Sequence, residues 1–172
     1  AASKAMADAL HTDPHAAPLL FGSDVRHEVH VVWKFRGRDC AGRIDALGST
    51  TVIDLKSARS AQPARLANAG RWAGYHAQIA WYMDGCAAAG LGPRVPYLIA
   101  VESGAPNPVV AMRLTERAIE QGRAIYRGWF ETLLTCERSN AWPGYVQDVI
   151  DFDVPDDASF SLLIDGDEIE VA

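Results

Sequence analysis

A chain of 172 residues, 49% hydrophobic and 22% charged, is the size of one domain with a substantial core, and it has no apolar run near the ~18 residues that span a bilayer. Three scattered cysteines (Cys40, Cys86, Cys136) with no CxxC pair exclude a disulfide framework and a cysteine-ligated zinc or iron–sulfur centre. The net charge of -6 conceals a division: residues 145–172 hold nine acids and no Lys or Arg, leaving 13 acids against 16 bases in residues 1–144, so the overall sign does not exclude a nucleic-acid substrate.

Ser3 to Leu10 reads as a short helix, interrupted at Pro14 and followed by a second helical turn to Leu20. Val29, Val31, Trp33 and Phe35 alternate with polar residues, the pattern of a first strand. Arg36 to Asp39 is a turn, Cys40 to Leu47 a second strand, Gly48-Ser49 a turn, and Thr51 to Lys56 a third strand rich in β-branched residues. Residues 57–70 read as a connection around Pro63. Trp72 to Ala89 reads as one long helix stopped by Gly90 and Gly92. The aromatic residues at its start, Trp72, Tyr75, Trp81 and Tyr82, are expected in its core-facing stripe. Val95 to Val101 suits a buried strand, Pro108 to Leu114 its neighbour, and Thr115 caps a helix from Glu116 to about Arg138. Phe160–Ile164 and Glu168–Val171 flank Asp165-Gly166, a hairpin signal. The expected organisation is a body over 1–145 and an acidic extension over 146–172, belonging to one domain. The chain starts Ala1-Ala2-Ser3 without methionine, as a segment of a longer protein does, and no basic start with a following apolar stretch marks a secretory signal, so a cytoplasmic setting is expected.

The chemistry concentrates around strands two and three. Strand two ends in Gly42-Arg43-Ile44-Asp45, and strand three carries Asp54-Leu55-Lys56. Residues two apart on a strand share a face, so Asp54 and Lys56 point one way while Ile53 and Leu55 point the other. A hairpin brings Asp45 alongside Asp54. Two carboxylates and an ammonium suit Mg²⁺ or Mn²⁺, which prefer oxygen ligands, and the Leu55 carbonyl is a natural additional donor. Such a metal acidifies a bound water and stabilises charge on a phosphate, with Lys56 orienting the water. On the following helix, Gln78 and Tyr82 lie four residues apart on one face and carry polar tips.

The run Gly-x-x-Asp, Asp-x-Lys, Gln-x-x-x-Tyr, in the words GRIDAL, TVIDLKSA, YHAQIAWYMDG and PYLIAVES, resembles the PD-(D/E)xK nuclease superfamily in its RecB-type branch. Within it the resemblance is greatest to the RecE-type (exonuclease VIII) nuclease domain and more distant to lambda exonuclease. It covers roughly residues 1–145. The resemblance implies a restriction-endonuclease-like α/β core, a mixed central sheet flanked by helices in α-β-β-β-α-β order. It implies that Asp45 and Asp54 bind the metal and that Lys56, Gln78 and Tyr82 complete the catalytic set. Glu28 is the candidate for an upstream acid in the metal shell, with His11 or His15 as the alternative. The activity implied is Mg²⁺-dependent hydrolysis of one strand of linear duplex DNA from a 5′ end, leaving a 3′ overhang for recombination or repair. A ring-shaped homo-oligomer, a single-strand annealing protein as partner, and a bacterial or phage-encoded cytoplasmic enzyme are implied with it. The competing readings are a non-catalytic DNA-binding module of the same fold, and a nuclease of other polarity or endonucleolytic mode.

Arg43, Ser57, Arg59, Arg65 and Arg71 flank the cluster and are candidate phosphate contacts. His27-Glu28-Val29-His30 has its histidines three apart on a strand, which does not make a zinc-protease helix.

Overall fold

The computed structural model describes residues 2–145, 148–151, 153, 160–164 and 167–171. Two compact units are formed, Ala1–Leu133 and Leu134–Ala172. The first begins with α1 (Ala2–Thr12) and α2 (Ala16–Phe21), followed by three strands, β1 (Arg26–Phe35), β2 (Arg38–Leu47) and β3 (Thr51–Ala58). Helices α3 (Pro63–Ala73) and α4 (Tyr75–Ala88) lead to β4 (Val95–Glu102), β5 (Val109–Arg113) and α5 (Glu116–Ser139). The strands form one mixed sheet in the order β1-β2-β3-β4-β5, in which β3 and β4 are parallel and the other pairs antiparallel. This is the mixed α/β, restriction-endonuclease-like core expected.

The local reasons are visible. The two residues between β1 and β2, Arg36 and Gly37, both have positive φ (48° and 80°), the handedness that matches strand twist in a tight hairpin. Asp24 closes the turn after β2, accepting from Ser49 N at 2.9 Å and Ser49 Oγ at 2.6 Å. The parallel pairing of β3 with β4 requires a crossover, which α3 and α4 supply. Helices cover both faces. Leu10, Ala16 and Leu20 pack on Ala46, Ile53, Ile99 and Val101. On the other face Tyr82 and Cys86 pack with Val31, Trp33, Ile44, Leu47 and Val52, while Leu66, Ile79 and Ala80 pack with Leu98 and Ala100.

Two sequence expectations require correction. Residues 57–70 are not a connection: β3 runs on to Ala58, and Pro63 opens α3, where the amide it lacks has no intrahelical partner to lose. The helix expected over Trp72–Ala89 is divided by Gly74, whose φ of 73° ends α3 in the left-handed conformation and starts α4. Smaller differences fall at strand ends: β1 starts at Arg26 rather than Val29, and β2 at Arg38 rather than Cys40.

Side chains bind α4 to α5. Arg123 donates to both oxygens of Asp84 through Nε at 3.0 Å and again through Nη2 at 2.6 Å, and Tyr126 OH donates to Asp84 Oδ2 at 2.5 Å. In the second unit β6 (Phe160–Ile164) and β7 (Asp167–Val171) pair antiparallel, the hairpin expected, whose Asp165-Gly166 turn lies outside the described residues. No helix among the described residues is long and apolar enough to cross a membrane.

Candidate active site

Interior strands of a mixed sheet, covered on both faces, are expected to be apolar throughout. β3 obeys this with Val52 and Ile53 fully buried, then breaks it: Asp54 is 0% exposed. Lys56 Nζ donates to Asp54 Oδ1 at 2.7 Å and lies 2.6 Å from Oδ2, so the ammonium is ion-paired with both oxygens although Oδ2 accepts no hydrogen bond. Burial pushes the Asp54 carboxyl above the ordinary carboxylate range. The Lys56 ammonium opposes that rise, and the charge of Asp45 adds to it. Ile53 and Leu55 face the α1–α2 side, as the strand period requires.

β2 reaches this point by leaving its regular course. The β2–β3 ladder consists of Ala46↔Ile53 and Leu47↔Val52, and one step further in the same register Asp45 stands opposite Asp54 without backbone pairing. Asp45 Oδ2 instead accepts the Leu55 N–H at 2.8 Å, so a side chain ends the ladder. Regular alternation would put Ile44 and Ala46 on one face. They lie in opposite clusters, Ile44 under α4 and Ala46 under α1–α2, and the strand turns at Asp45 between them. The N–H and C=O of one strand residue project to the same side, so the Leu55 carbonyl is also directed into the opening between β2 and β3.

Glu28 occupies the β1 position opposite Asp45, between the pairs His27↔Ala46 and Val29↔Ile44. Its φ is 53°, a conformation that costs a residue with a side chain ~1–2 kcal/mol. Its exposed carboxylate is ion-paired with Arg43, whose hydrogen bond holds it below the ordinary range. Among the described residues no three acidic, His or Cys side chains are gathered closely enough to form a metal cluster, so neither Glu28 nor His11 or His15 is brought into one group with Asp45 and Asp54. His11 is exposed and stacks on Phe21 at 3.8 Å between centroids, and His15 is exposed at the start of α2.

On α4, Gln78 Nε2 donates to Tyr82 OH at 2.9 Å, so the helix-face pairing expected from their spacing is formed. Tyr82 lies against Gly42 of β2, where an added Cβ would meet the phenol ring at 2.9 Å; the glycine of the GRID segment seats this ring. Tyr75 was expected in the core. It is half-buried instead, with Lys56 Nζ over its ring, 5.2 Å from the centroid. The signal was present in the sequence, because Tyr75, Gln78 and Tyr82 make one helical stripe at spacings of three and four. Trp72 also departs from expectation: it is 80% exposed, with Arg71 stacked 5.1 Å over it. Ser57, Arg59, Arg65 and Arg71 are exposed on β3, after it, and on α3, whereas Arg43 is engaged by Glu28.

A family model described as "PDDEXK-like domain of unknown function (DUF3799)" matches residues 1–150. The chain belongs to this family. No curated protein matches the chain. Among solved structures, a "putative exonuclease" from Eubacterium rectale superposes with a TM-score of 0.71 at 12% identity, over 83% of this chain and 55% of that one. The PDDEXK-like chain thus spans about half the length of that neighbour, with which it shares the fold. A second structure, of SSO0001, gives a TM-score of 0.37 at 18% identity over 71% of this chain and 64% of that one.

The donor set fits a divalent cation. The fully buried Asp54 carboxylate accepts its hydrogen bond from Lys56 at Oδ1, so Oδ2, which accepts none, keeps capacity for a further cation. Asp45 and the Leu55 carbonyl adjoin it and offer only oxygen, the preference of Mg²⁺ and Mn²⁺.

Proposed function

We propose that this PDDEXK-like domain is a divalent-metal-dependent deoxyribonuclease, acting as an exonuclease on linear duplex DNA from the 5′ end. The observation that carries the reading is Asp54, fully buried and ion-paired with Lys56, with one oxygen that accepts no hydrogen bond, opposite Asp45 across an opened pair of strands. Asp45, Asp54 and the Leu55 carbonyl would hold Mg²⁺, for which Mn²⁺ substitutes, with Glu28 as a further candidate. When bound, the metal supplies Lewis-acid stabilisation of the phosphate and a water acidified for attack.

The chain's own residues do the rest. Lys56, beside two carboxylates, orients the attacking water by donating to it and offsets negative charge building on the phosphate. The Tyr75 ring beneath its ammonium fixes where that charge lies. Tyr82, held by the Gln78 amide and by the surface of Gly42, positions water or a phosphate oxygen. Ser57, Arg59, Arg65 and Arg71 line the approach as phosphate contacts, and Arg43 joins them when released from Glu28. By resemblance to RecE-type domains, the enzyme works as a ring of copies on a free DNA end, alongside a strand-annealing partner in recombination or repair.

Linear duplexes labelled at the 5′ or the 3′ end, digested with Mg²⁺, with Mn²⁺ and with chelator, test the reading. The expected result is metal-dependent release of the 5′ label as short products while closed circular duplex stays intact. Cleavage of the circle, or early release of the 3′ label, assigns an endonuclease or the opposite polarity. A folded protein that cleaves none of these substrates with either metal overturns the reading.

A further inference from the structure

The face of the sheet that carries Asp54 continues into a pocket of about 360 Å³, the size of a small-ligand site. Residues paired across neighbouring strands point to the same side. Asp54 is paired with Leu98 of β4, and Leu98 with Met112 of β5, so the three side chains form one row across the sheet. Leu98 and Met112 are the floor of the pocket. With strands ~4.8 Å apart, they stand about one and two strand spacings along that row from Asp54. One wall is α3 around Gly70, and the other is the start of α5 with Ala118 and Gln121. Tyr75 makes a second connection with the candidate active site. It lines the pocket, and its ring lies under Lys56 Nζ, 5.2 Å from the centroid. Gly70 makes room for that ring, since a Cβ there would stand 2.9 Å from it.

The lining indicates what fits there. The floor is apolar, and Met112 adds a polarisable thioether suited to a flat ring. His76 and Gln121 add groups that donate and accept, the complement of a base's polar edge. None of the residues described along the pocket is acidic, and Arg71 brings a positive charge to it. Glu116, in the first turn of α5, is exposed and outside the lining. Continuity with a site for phosphate restricts the occupant to a group that arrives attached to one. We propose that this pocket receives the base and sugar of the nucleotide whose phosphate is held beside Lys56. The proposal rests on the nuclease reading and adds a substrate requirement to it. A base seated between α3 and α5 cannot stay paired with its complement, so the strand must be locally unpaired to be cut.

The chain has three methionines, Met6, Met83 and Met112, so methyl-labelled methionine gives three NMR signals, and Met112→Leu assigns the one in the pocket. Thymidine 5′-monophosphate and inorganic phosphate are titrated into the full chain with Mg²⁺ present; neither holds a phosphodiester bond to cut. The nucleotide is expected to shift the Met112 signal, with Met6 and Met83 as controls. It should bind roughly tenfold or more tightly than phosphate, the gain from burying ~60 Å² of apolar base surface. Ala118→Phe, which narrows the pocket from α5, should remove both effects. A Met112 signal that the nucleotide leaves unmoved in the wild-type protein overturns the proposal without any variant. Equal shift and equal affinity with inorganic phosphate assign an anion site and overturn it as well. An Ala118→Phe protein that melts like wild type and keeps both effects also overturns it. Digestion of linear duplex is run in parallel: cleavage without a Met112 shift overturns the pocket alone, and a Met112 shift in a folded protein that cuts nothing overturns the nuclease reading alone.

Discussion

Asp54 and Asp84 are both ion-paired with a basic side chain, and their surroundings have opposite designs. Asp84 receives three donations from Arg123 and one from Tyr126, so both oxygens are saturated. Burial penalises its charge most, but the hydrogen bonds from Arg123 and Tyr126 outweigh that penalty and hold the carboxyl below the ordinary range. Asp54 is buried completely, has Lys56 as its counter-charge, keeps one oxygen without a hydrogen bond and is pushed the other way. A carboxylate whose interactions are complete ties two helices together. A carboxylate with an oxygen that accepts no hydrogen bond keeps capacity for a further ligand.

Substitution should separate the two. Asp54→Asn removes a donor from the proposed metal site and with it several kcal/mol of transition-state stabilisation, so cleavage should fall by roughly 10³-fold or more. The same change relieves the burial of a charge but leaves the Lys56 ammonium without its counter-charge, so thermal stability should change far less than cleavage does. Calorimetry and single-turnover digestion of one preparation check both halves. A folded Asp54→Asn protein that cleaves normally would remove this residue from the site.

Lys56→Ala should come next in size, with single-turnover cleavage slowed by about 10²-fold, the loss of one charged group at the reacting phosphate. DNA affinity, which is spread over many phosphate contacts, should change little. Equal losses in rate and affinity would make Lys56 an anchor rather than a participant.

Asp84→Ala should show the reverse profile. It leaves Arg123 and Tyr126 with donors unanswered and should lower stability by about 1–3 kcal/mol, several degrees in melting temperature, while the folded fraction cleaves as wild type does. The pH dependence follows from the sign of the shift. A carboxyl whose folded value is depressed contributes stability that is fully present above its unfolded value near ~3.9 and is lost as pH falls through the folded value. The melting-temperature gap between wild type and Asp84→Asn should therefore be constant from neutral pH down to about 5 and narrow below ~3.9. A gap that widens on acidification would contradict the depressed value.

The sequence made the strand half of the site readable and the helix half partly so. Asp54 and Lys56 sharing a face, with Ile53 and Leu55 opposed, needs only the two-residue period of a strand. The turn in β2 was not readable, because alternation puts Ile44 and Ala46 together and only packing between two helical layers separates them. Gly74 was hidden for a related reason. Residues 63–73 are Ala-rich with Gly70 among them, a composition that reads equally as loop or helix, and Gly74 sits inside an otherwise continuous helical run. Trp72 and Tyr75 were misplaced with it, since a break there rotates both off the core stripe that an unbroken helix would give them.

The narrow join between β2 and β3 has a consequence for how the chain comes together. β1 and β2 pair along their whole length, from Arg26↔Leu47 to Phe35↔Arg38, across a two-residue turn, and such a hairpin closes within microseconds. β3 and β4 also pair along their length, from Thr51↔Val95 to Ala58↔Glu102, but only after two helices have been laid between them, a long-range closure that is intrinsically slower. Asp45 belongs to the quick half and Asp54 to the slow half, and only Ala46↔Ile53 and Leu47↔Val52 join the halves by backbone. The juxtaposition of the two acids therefore depends on a two-pair seam rather than on either fully paired half. Loosening that seam would part Asp45 from Asp54 while leaving both halves of the sheet intact.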